Sequence, residues 1–551
     1  MKTSLSFLSF LGPLFCFLLC QTQAAQLWPA LAPPPLAATV SAEPLGGNTT
    51  FQQLIDHSDP SLGTFPQTFW WDTTFWAGPG SPILLFTPGE VDAEGYTGYI
   101  TNHTLVGLYA QAIGGAMILL EHRYWGKSTP FQVLDTKNLS YLTLENSVAD
   151  LIHFARTVEL PFDANSTSSN APNSPWINVG GSYAGALAAW TEKLSPGTFW
   201  AYHASSGPVE AVYDYWAYFL PIQRGMPQNC SADMSRIVDH MDGVFNSGNQ
   251  NEILELKTMF GLEELSHVDD VAAALAVPLG GWQNLQVFSD YSIFFQMCDT
   301  IEGVRPIDKP ATNTTTNTTS TPAQTTPVPA TGVGLEKALP SYAGWFKRKF
   351  LPDYCGSYRY GDWSDPNSVG CFDTYNTSSP YALDWAPNNT VNRQWMWMTC
   401  NQPFFYWQTG APKDKASIIS RYVTAEYYQR QCDLLFPPEG NATFGSAGGR
   451  KTAETLNAQT EGWLLTNTTK LLWVNGEFDP WRSASVSSEL RPGGPLQSTP
   501  AAPVFLMPGA RHCNDLITMS GTVNADIRET QDAVVAQMVR WVDEFYHRGK
   551  L

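Results

Sequence analysis

Ser182 stands in WINVGGSYAGALAAW, where a strand-like run meets two glycines and an alanine-rich helical stretch follows. A nucleophile elbow presents its hydroxyl at such a strand-to-helix corner, although a tight turn that merely holds a serine would use similar residues. The G-x-S-x-G pattern is met imperfectly, with Ala184 in the last place and Gly185 next. A chain of this composition contains a chance copy with odds of roughly 0.3, so its weight comes from the strand before and the helix after. Small residues around Ser182 let the backbone take a strained corner and leave the Tyr183 N–H free to face a developing oxyanion.

A serine hydroxyl needs a base. In α/β-hydrolase order an acid and then a histidine follow the serine, each on a loop after a late strand. Of nine histidines only His512 and His547 lie that late, and His547 sits on a polar tail. His512 follows the apolar run 503–507 in MPGARHCND, and Asp479 follows 471–474 in VNGEFDPW, with Glu477 and Asp515 as local rivals. In this arrangement His512 takes the Ser182 proton and returns it to the leaving amine, while Asp479 fixes the imidazole tautomer and stabilises the imidazolium. A second oxyanion donor is expected from Thr87-Pro88-Gly89-Glu90. Pro88 has no N–H, which leaves Gly89 or Glu90; a plain turn under a strand end is the alternative account of this loop.

These residues need a frame to hold them. Apolar runs at 82–86, 117–120 and 176–179, with helical stretches such as 147–158 between them, predict an α/β fold of α/β-hydrolase type with a mostly parallel sheet. The pattern returns at 471–474 and 503–507 and ends in a helix whose Val534, Val535, Met538, Trp541, Val542 and Phe545 share one face. Ser182 and Asp479 lie 297 positions apart (479 − 182), far more than one or two strand–helix units require. The expected organisation is therefore a first hydrolase part over 49–215, a large, mostly helical cap over 216–455, and a second hydrolase part over 456–551. Within the cap, the Thr/Pro-rich stretch 311–332 cannot bury a core and reads as an exposed loop. A cap over the nucleophile suits a peptidase that selects loose peptides, and a lipase lid would restrict access in the same way.

The 551 residues carry a formal charge of −19, which disfavours nucleic acid and anionic membrane as partners. Aromatic residues make up 13 %, with 20 Trp, which suits a packed enzyme with an aromatic-lined cleft. The stretch 1–25 reads as a signal peptide, because its apolar run is short and broken by Gly12-Pro13. The Pro/Ala-rich stretch 26–48 reads as a leader or propeptide. Eleven N-x-S/T sequons fit a secretory glycoprotein. Beyond the signal peptide seven cysteines remain, so at least one is unpaired or pairs between chains. The expected pairing is 230–298, 355–371 and 400–432, leaving Cys513, although the spacing alone does not fix it. No cofactor or metal is expected, and the chain is expected to be extracellular, with an acidic vacuole-like compartment as the alternative, and to act as a monomer or homodimer.

GGSYAGALAAW, EHRYWGKSTPF (121–131), FQQLIDH (51–57), NGEFDPW (475–481) and HCND (512–515) together resemble the prolyl carboxypeptidase/dipeptidyl-peptidase II family of serine peptidases. The resemblance spans about 50 to 545. FTPGEVDAEGYTGYITNHTL, GTFWAYHASS and RPGGPLQST are similar to its branch of fungal secreted acid prolyl endopeptidases. The resemblance implies an α/β-hydrolase fold with a helical cap inserted after the sixth strand. It implies cofactor-free cleavage on the carboxyl side of proline at acidic pH, and cleavage also after alanine is a further expectation. Ser182, Asp479 and His512 match the family triad, and Tyr183 and Trp481 match positions that wall the proline pocket; core packing is the plainer role for Trp481. A flat aromatic wall suits a pyrrolidine ring, which offers no N–H to recognise. Two positions depart from the mammalian exopeptidases, Ala186 in place of a methionine and Arg511 in place of a histidine or aromatic residue. Work in acid needs a base that stays unprotonated, so burial, aided by Arg511, is expected to depress the His512 pKa. Rival readings are a Pro-X carboxypeptidase or dipeptidyl peptidase of the same family, an esterase or lipase sharing the triad, and a catalytically silent binding protein on the same fold.

Overall fold

The computed structural model describes residues 45–289, 291–304 and 328–548. The signal peptide, almost all of the leader and most of the Thr/Pro-rich stretch lie outside the described residues.

Three of the five apolar runs form central strands of one eight-stranded sheet, β3 (Ile83–Thr87), β4 (Ala116–Leu120) and β5 (Trp176–Gly181), every residue of which is buried. Strands covered on both faces need continuous apolar sequence, which is what these runs supply. Before them come β1 (Gly46–Leu54) and β2 (Thr64–Asp72); after them come β6 (Ala201–Ser205), β9 (Leu471–Gly476) and β10 (Val504–Met507). Between β6 and β9, β7 (Val212–Asp214) and β8 (Phe405–Trp407) pair as a separate parallel ribbon. The large sheet has the order β1-β2-β4-β3-β5-β6-β9-β10, parallel from β4 to β10 and antiparallel at β1 and β2. Residues Gly46–Asn48, assigned to the leader on composition, belong to β1, because their backbone pairs with Trp70–Asp72 of β2.

Alternate residues of the central strands serve two cores. Ile83, Leu85, Ile118, Leu120 and Trp473 face helices α2 (Leu144–Thr157) and α3 (Tyr183–Leu194). Leu84, Phe86, Met117, Leu119 and Val474 face α1 (Leu105–Ile113) and the last helix, Ala525–His547. That last helix buries Val534, Met538, Trp541, Val542 and Phe545, and leaves Val535 half-exposed at the edge of the stripe. Each fully buried aliphatic side chain contributes about 1.5–3 kcal/mol, so a polar substitution on either face would loosen a whole layer.

The long connection from β6 to β9 is mostly helical, and its helices include Gln228–Ser247, Val268–Gly280, Arg393–Asn401 and Ala425–Leu435. Three disulfides hold it, Cys230–Cys298, Cys355–Cys371 and Cys400–Cys432, with Cα separations of 5.3, 5.4 and 5.9 Å. These are the expected pairs, and Cys513 is free and buried. Cys230–Cys298 closes the longest loop, with a sequence separation of 68 against 16 for Cys355–Cys371. On loop entropy its loss costs about 4 kcal/mol, against about 3 kcal/mol for the short loop. Replacing Cys230 and Cys298 with serine is thus expected to lower the urea midpoint more than replacing Cys355 and Cys371.

Candidate active site

Ser182 sits between the end of β5 and the start of α3 with φ 59° and ψ −132°, a conformation that L residues rarely adopt and that costs on the order of 1–3 kcal/mol. The neighbouring glycines make the corner sterically feasible. A Cβ at Gly180 would lie 2.1 Å from the Ala184 carbonyl oxygen, and one at Gly185 would lie 2.5 Å from that of Ser205. Gly185 therefore carries the close helix–strand approach, and Ala184 is tolerated in the last place of the motif. The Ser182 N–H donates to the Ser205 carbonyl at 3.0 Å, which ties the corner to β6.

Asp479 and His512 come from the loops after β9 and β10, and Asp479 is fully buried. His512 Nδ1 lies 3.0 and 3.1 Å from the two Asp479 carboxylate oxygens. The Trp481 N–H donates to Asp479 Oδ1 at 2.9 Å and fixes the carboxylate from the other side. His512 Nε2 is buried without a hydrogen-bond partner among the described residues, and in the neutral imidazole, with Nδ1–H donating to Asp479, it is the nitrogen left to accept a proton. The residue after His512 anchors it beside the serine corner: the Cys513 N–H donates to Ser206 Oγ at 2.9 Å, and its thiol lies 3.9 Å from the same Ser205 carbonyl that holds Ser182. The serine–histidine hydrogen bond is not formed in the free protein, which is common in sites that tighten only around substrate.

The two rival acids are occupied elsewhere. Asp515 accepts from Ser205 Oγ at 2.5 Å and lies 2.9 Å from His203 Nε2, and His203 Nδ1 in turn lies 2.8 Å from the Tyr109 hydroxyl. This fully buried cluster sits under the site. The sequence reading missed its histidine, because nothing in the order of residues shows that β6 and the loop after β10 are neighbours. Glu477 accepts the Gly509 N–H at 2.9 Å, and His547 lies on the exposed end of the last helix.

The ionisation of His512 runs opposite to expectation. Burial is the largest influence and pushes its pKa down, but the Asp479 carboxylate and, next in order, Cys513 push it up, and the net direction is well above the usual value of 6.5. Arg511 stacks on Trp282 at 4.4 Å, and its own pKa is lowered by burial to about 10. An acid-range base thus finds no support in the free site.

Tyr183 and Trp481 stand in one aromatic cluster. Ring centroids of Tyr183 lie 5.5 Å from Trp395 and 5.8 Å from Phe404; Phe404 stacks on Tyr406 at 6.0 Å, and Tyr406 lies 5.2 Å from Trp481. Phe405 and Tyr406 both have positive φ, at 56° and 54°, so the backbone is strained where it presents these rings. Trp395, Phe404 and Tyr406 were absent from the sequence reading; the density of aromatics in WMWMTCNQPFFYW was the available signal. The polar ends are held as well. His122 Nε2 lies 3.1 Å from the Tyr183 hydroxyl, and the Trp481 indole N–H donates to Gln283 at 2.6 Å. Gly89 has φ 83°, and a Cβ there would stand 3.6 Å from Ala184 N, which lays the expected oxyanion loop against the first turn of α3. Glu90 is buried beside it.

A serine at a strained strand–helix corner, with a buried Asp–His pair on the two following strand ends, defines a serine hydrolase of the α/β-hydrolase fold. The family model described as serine carboxypeptidase S28 matches residues 53–277 and 358–534, and the chain belongs to that family of serine peptidases. It is 44% identical over 522 residues to the serine protease vicPb of Bipolaris victoriae (strain FI3), covering 95% of this chain and 93% of the relative. It is 30% identical over 481 residues to a probable extracellular serine carboxypeptidase of Arthroderma benhamiae, covering 84% and 62%. The thymus-specific serine protease of Homo sapiens is 25% identical over 505 residues, covering 89% and 86%. Among solved structures, a proline iminopeptidase of Mycobacterium smegmatis is similar with a TM-score of 0.32 and 11% identity, covering 90% of this chain and 99% of that one.

Proposed function

We propose that this protein is a secreted serine peptidase that cleaves on the carboxyl side of proline within peptides, with Ser182 as nucleophile, His512 as base and acid, and Asp479 as the group that orients His512. The observation that carries the proline preference is the aromatic cluster next to the nucleophile. Tyr183 follows the nucleophile directly, Trp481 follows the acid by two residues, and the rings between them form a continuous packed apolar cluster beside Ser182, against which a pyrrolidine ring is proposed to stack. Export is supported by three disulfides, and no helix among the described residues is long and apolar enough to cross a membrane. The proposed substrates are proline-containing peptides, with no cofactor and with a monomer or homodimer as the working unit.

The substrate path is proposed to run through the helical layer. A cavity of about 1320 Å³ lies there, with Phe219, Asn284, Met396 and Tyr428 in its walls. Met396 adjoins Trp395, whose ring meets Tyr183. A carboxypeptidase is the second reading, favoured by the family description and by the name of the Arthroderma benhamiae relative. Amino- and carboxyl-blocked peptides with one internal proline separate the two: an endopeptidase cuts them, and an exopeptidase leaves them whole. The acid range implied by the resemblance is set against the upward direction at His512, and the pH profile of kcat/KM decides it.

Trp481→Ala is expected to lower kcat/KM on a Gly-Pro amide about 100-fold, the loss of one well-buried apolar contact, while hydrolysis of p-nitrophenyl acetate changes less than about threefold. Equal losses on both substrates would assign Trp481 to the packing of the Asp479 loop instead.

A further inference from the structure

We propose that the second hydrogen-bond donor to the oxyanion is the carboxylic acid of Glu90, and that no main-chain N–H of its loop fills this role. The inference rests on the reading of Ser182 as an acyl-transfer nucleophile and goes beyond it by assigning a further catalytic group.

The main-chain donors of the loop are directed within it. Pro88 has none. The Gly89 N–H is directed at Thr87 Oγ1, 3.4 Å away. The Glu90 N–H faces the residue's own carboxyl group, whose pKa it lowers. Yet the loop is in the right place, because Gly89 packs against Tyr183 and Ala184, the two residues that follow the nucleophile. The Glu90 side chain is 5% exposed, and its Oε2 is buried without a hydrogen-bond partner among the described residues. A buried carboxyl oxygen left unsatisfied is costly, and such an atom beside a reaction centre needs an explanation. Contact with substrate supplies one.

The surroundings decide which form of the carboxyl is present. Burial raises its pKa to about 7, and its own N–H and then His512 pull it partly back. The other groups facing it are Tyr96, on the turn after the loop, and Tyr183, and both have pKa values raised by burial and then by Glu90. Asp479 stands behind His512. While His512 is neutral, as attack by Ser182 requires, its pull on Glu90 is absent, and burial keeps Glu90 a neutral acid, which can donate a hydrogen bond where a carboxylate would repel the oxyanion. The step balances without a further reagent. The Ser182 O–H proton passes to His512 Nε2 as Oγ bonds to the carbonyl carbon. The carbonyl π pair moves onto oxygen, where the Tyr183 N–H and the Glu90 O–H hold it. Collapse of the intermediate breaks the C–N bond, and the amine leaves with the proton from His512. Glu90 keeps its own proton throughout. As pH rises through about 7 Glu90 loses that proton, so kcat/KM must fall on the basic side.

The test uses the rate at which a fluorophosphonate modifies Ser182, followed by intact mass. That reaction builds the same negative oxygen and does not depend on proline. Glu90→Ala is expected to slow modification about 10²- to 10³-fold. Glu90→Gln, which keeps a donor but cannot titrate, is expected to remain within about tenfold of wild type and to lose the fall above pH 7. Thermal melts separate a folding defect from a catalytic one. Modification of folded Glu90→Ala within about threefold of wild type overturns the proposal. So does equal impairment of both folded variants, or a Gln variant that keeps the fall near pH 7. No modification of wild-type Ser182 would defeat the acyl-transfer reading itself, and this inference with it.

Discussion

Ser182→Ala is expected to lower kcat on any cleavable amide by about 10⁵- to 10⁶-fold while leaving the fold intact. The magnitude follows from how the site divides its work. Without Oγ no acyl-enzyme forms, and His512 and Asp479 have nothing to activate. What remains is the oxyanion site and binding, worth about 10³–10⁴ over water. The side chain is small, only 4% exposed, and makes no hydrogen bond on which the corner depends; the corner is held by the main-chain bond from Ser182 N–H to the Ser205 carbonyl. The positive φ is kept by alanine at the same modest strain, so the melting temperature is expected to move by no more than a few degrees. A burst assay with a chromogenic amide together with a thermal melt checks both halves. Residual turnover above about 1% of wild type would mean that another group attacks the carbonyl.

Asp479→Asn is the second large effect, an expected loss of about 10⁴-fold in kcat near neutrality. The amide would still fill the space between His512 Nδ1 and the Trp481 N–H, 3.0 and 2.9 Å away in the wild type. It would present the wrong tautomer to the imidazole and leave the imidazolium uncompensated in a buried site. The pH dependence carries a sign that a packing defect would not reproduce. In the wild type burial pushes the His512 pKa down and Asp479, foremost among the opposing groups, pushes it up, with a net rise above 6.5. The active form is the neutral imidazole, so wild-type kcat/KM falls as pH drops through that raised value. Removing the carboxylate leaves burial dominant, so the acidic limb of the residual activity must move to lower pH. An acidic limb that stays in place would show that another group, not His512, governs it.

How far such a site can be inferred from sequence depends on which contacts are local. Ile83–Thr87, Ala116–Leu120 and Trp176–Gly181 were legible because strands buried on both faces must be apolar throughout. The β1–β2 pair was not, because it carries Gln52, Gln53 and Gln67 among its apolar residues. Gln53 and Gln67 are buried through a mutual hydrogen bond of 2.9 Å that no periodicity predicts. Chain order pointed to Asp479 and His512, since each follows a late apolar run at a fixed place in the fold. It could not show that Asp515 turns away to His203, which is set by the pairing of β6 with β9 and by the turn after His512. The direction of the His512 pKa was misjudged for a related reason. Burial can be guessed from an apolar setting, but a carboxylate at 3.0 Å outweighs it, and that distance is tertiary. The aromatic cluster combines both cases: Tyr183 and Trp481 lie beside motif residues, whereas Trp395, Phe404 and Tyr406 arrive from the connection between β6 and β9, more than 200 positions after Ser182.

The most direct test of the central claim is the mass-spectrometric mapping of products from a peptide blocked at both ends with a single internal proline, incubated with wild type and with Ser182→Ala across pH 4 to 8. A single cut after the proline by wild type, and none by the variant, is the predicted result. A blocked peptide left whole while free-ended proline peptides are trimmed, or cuts unrelated to proline, would contradict the account.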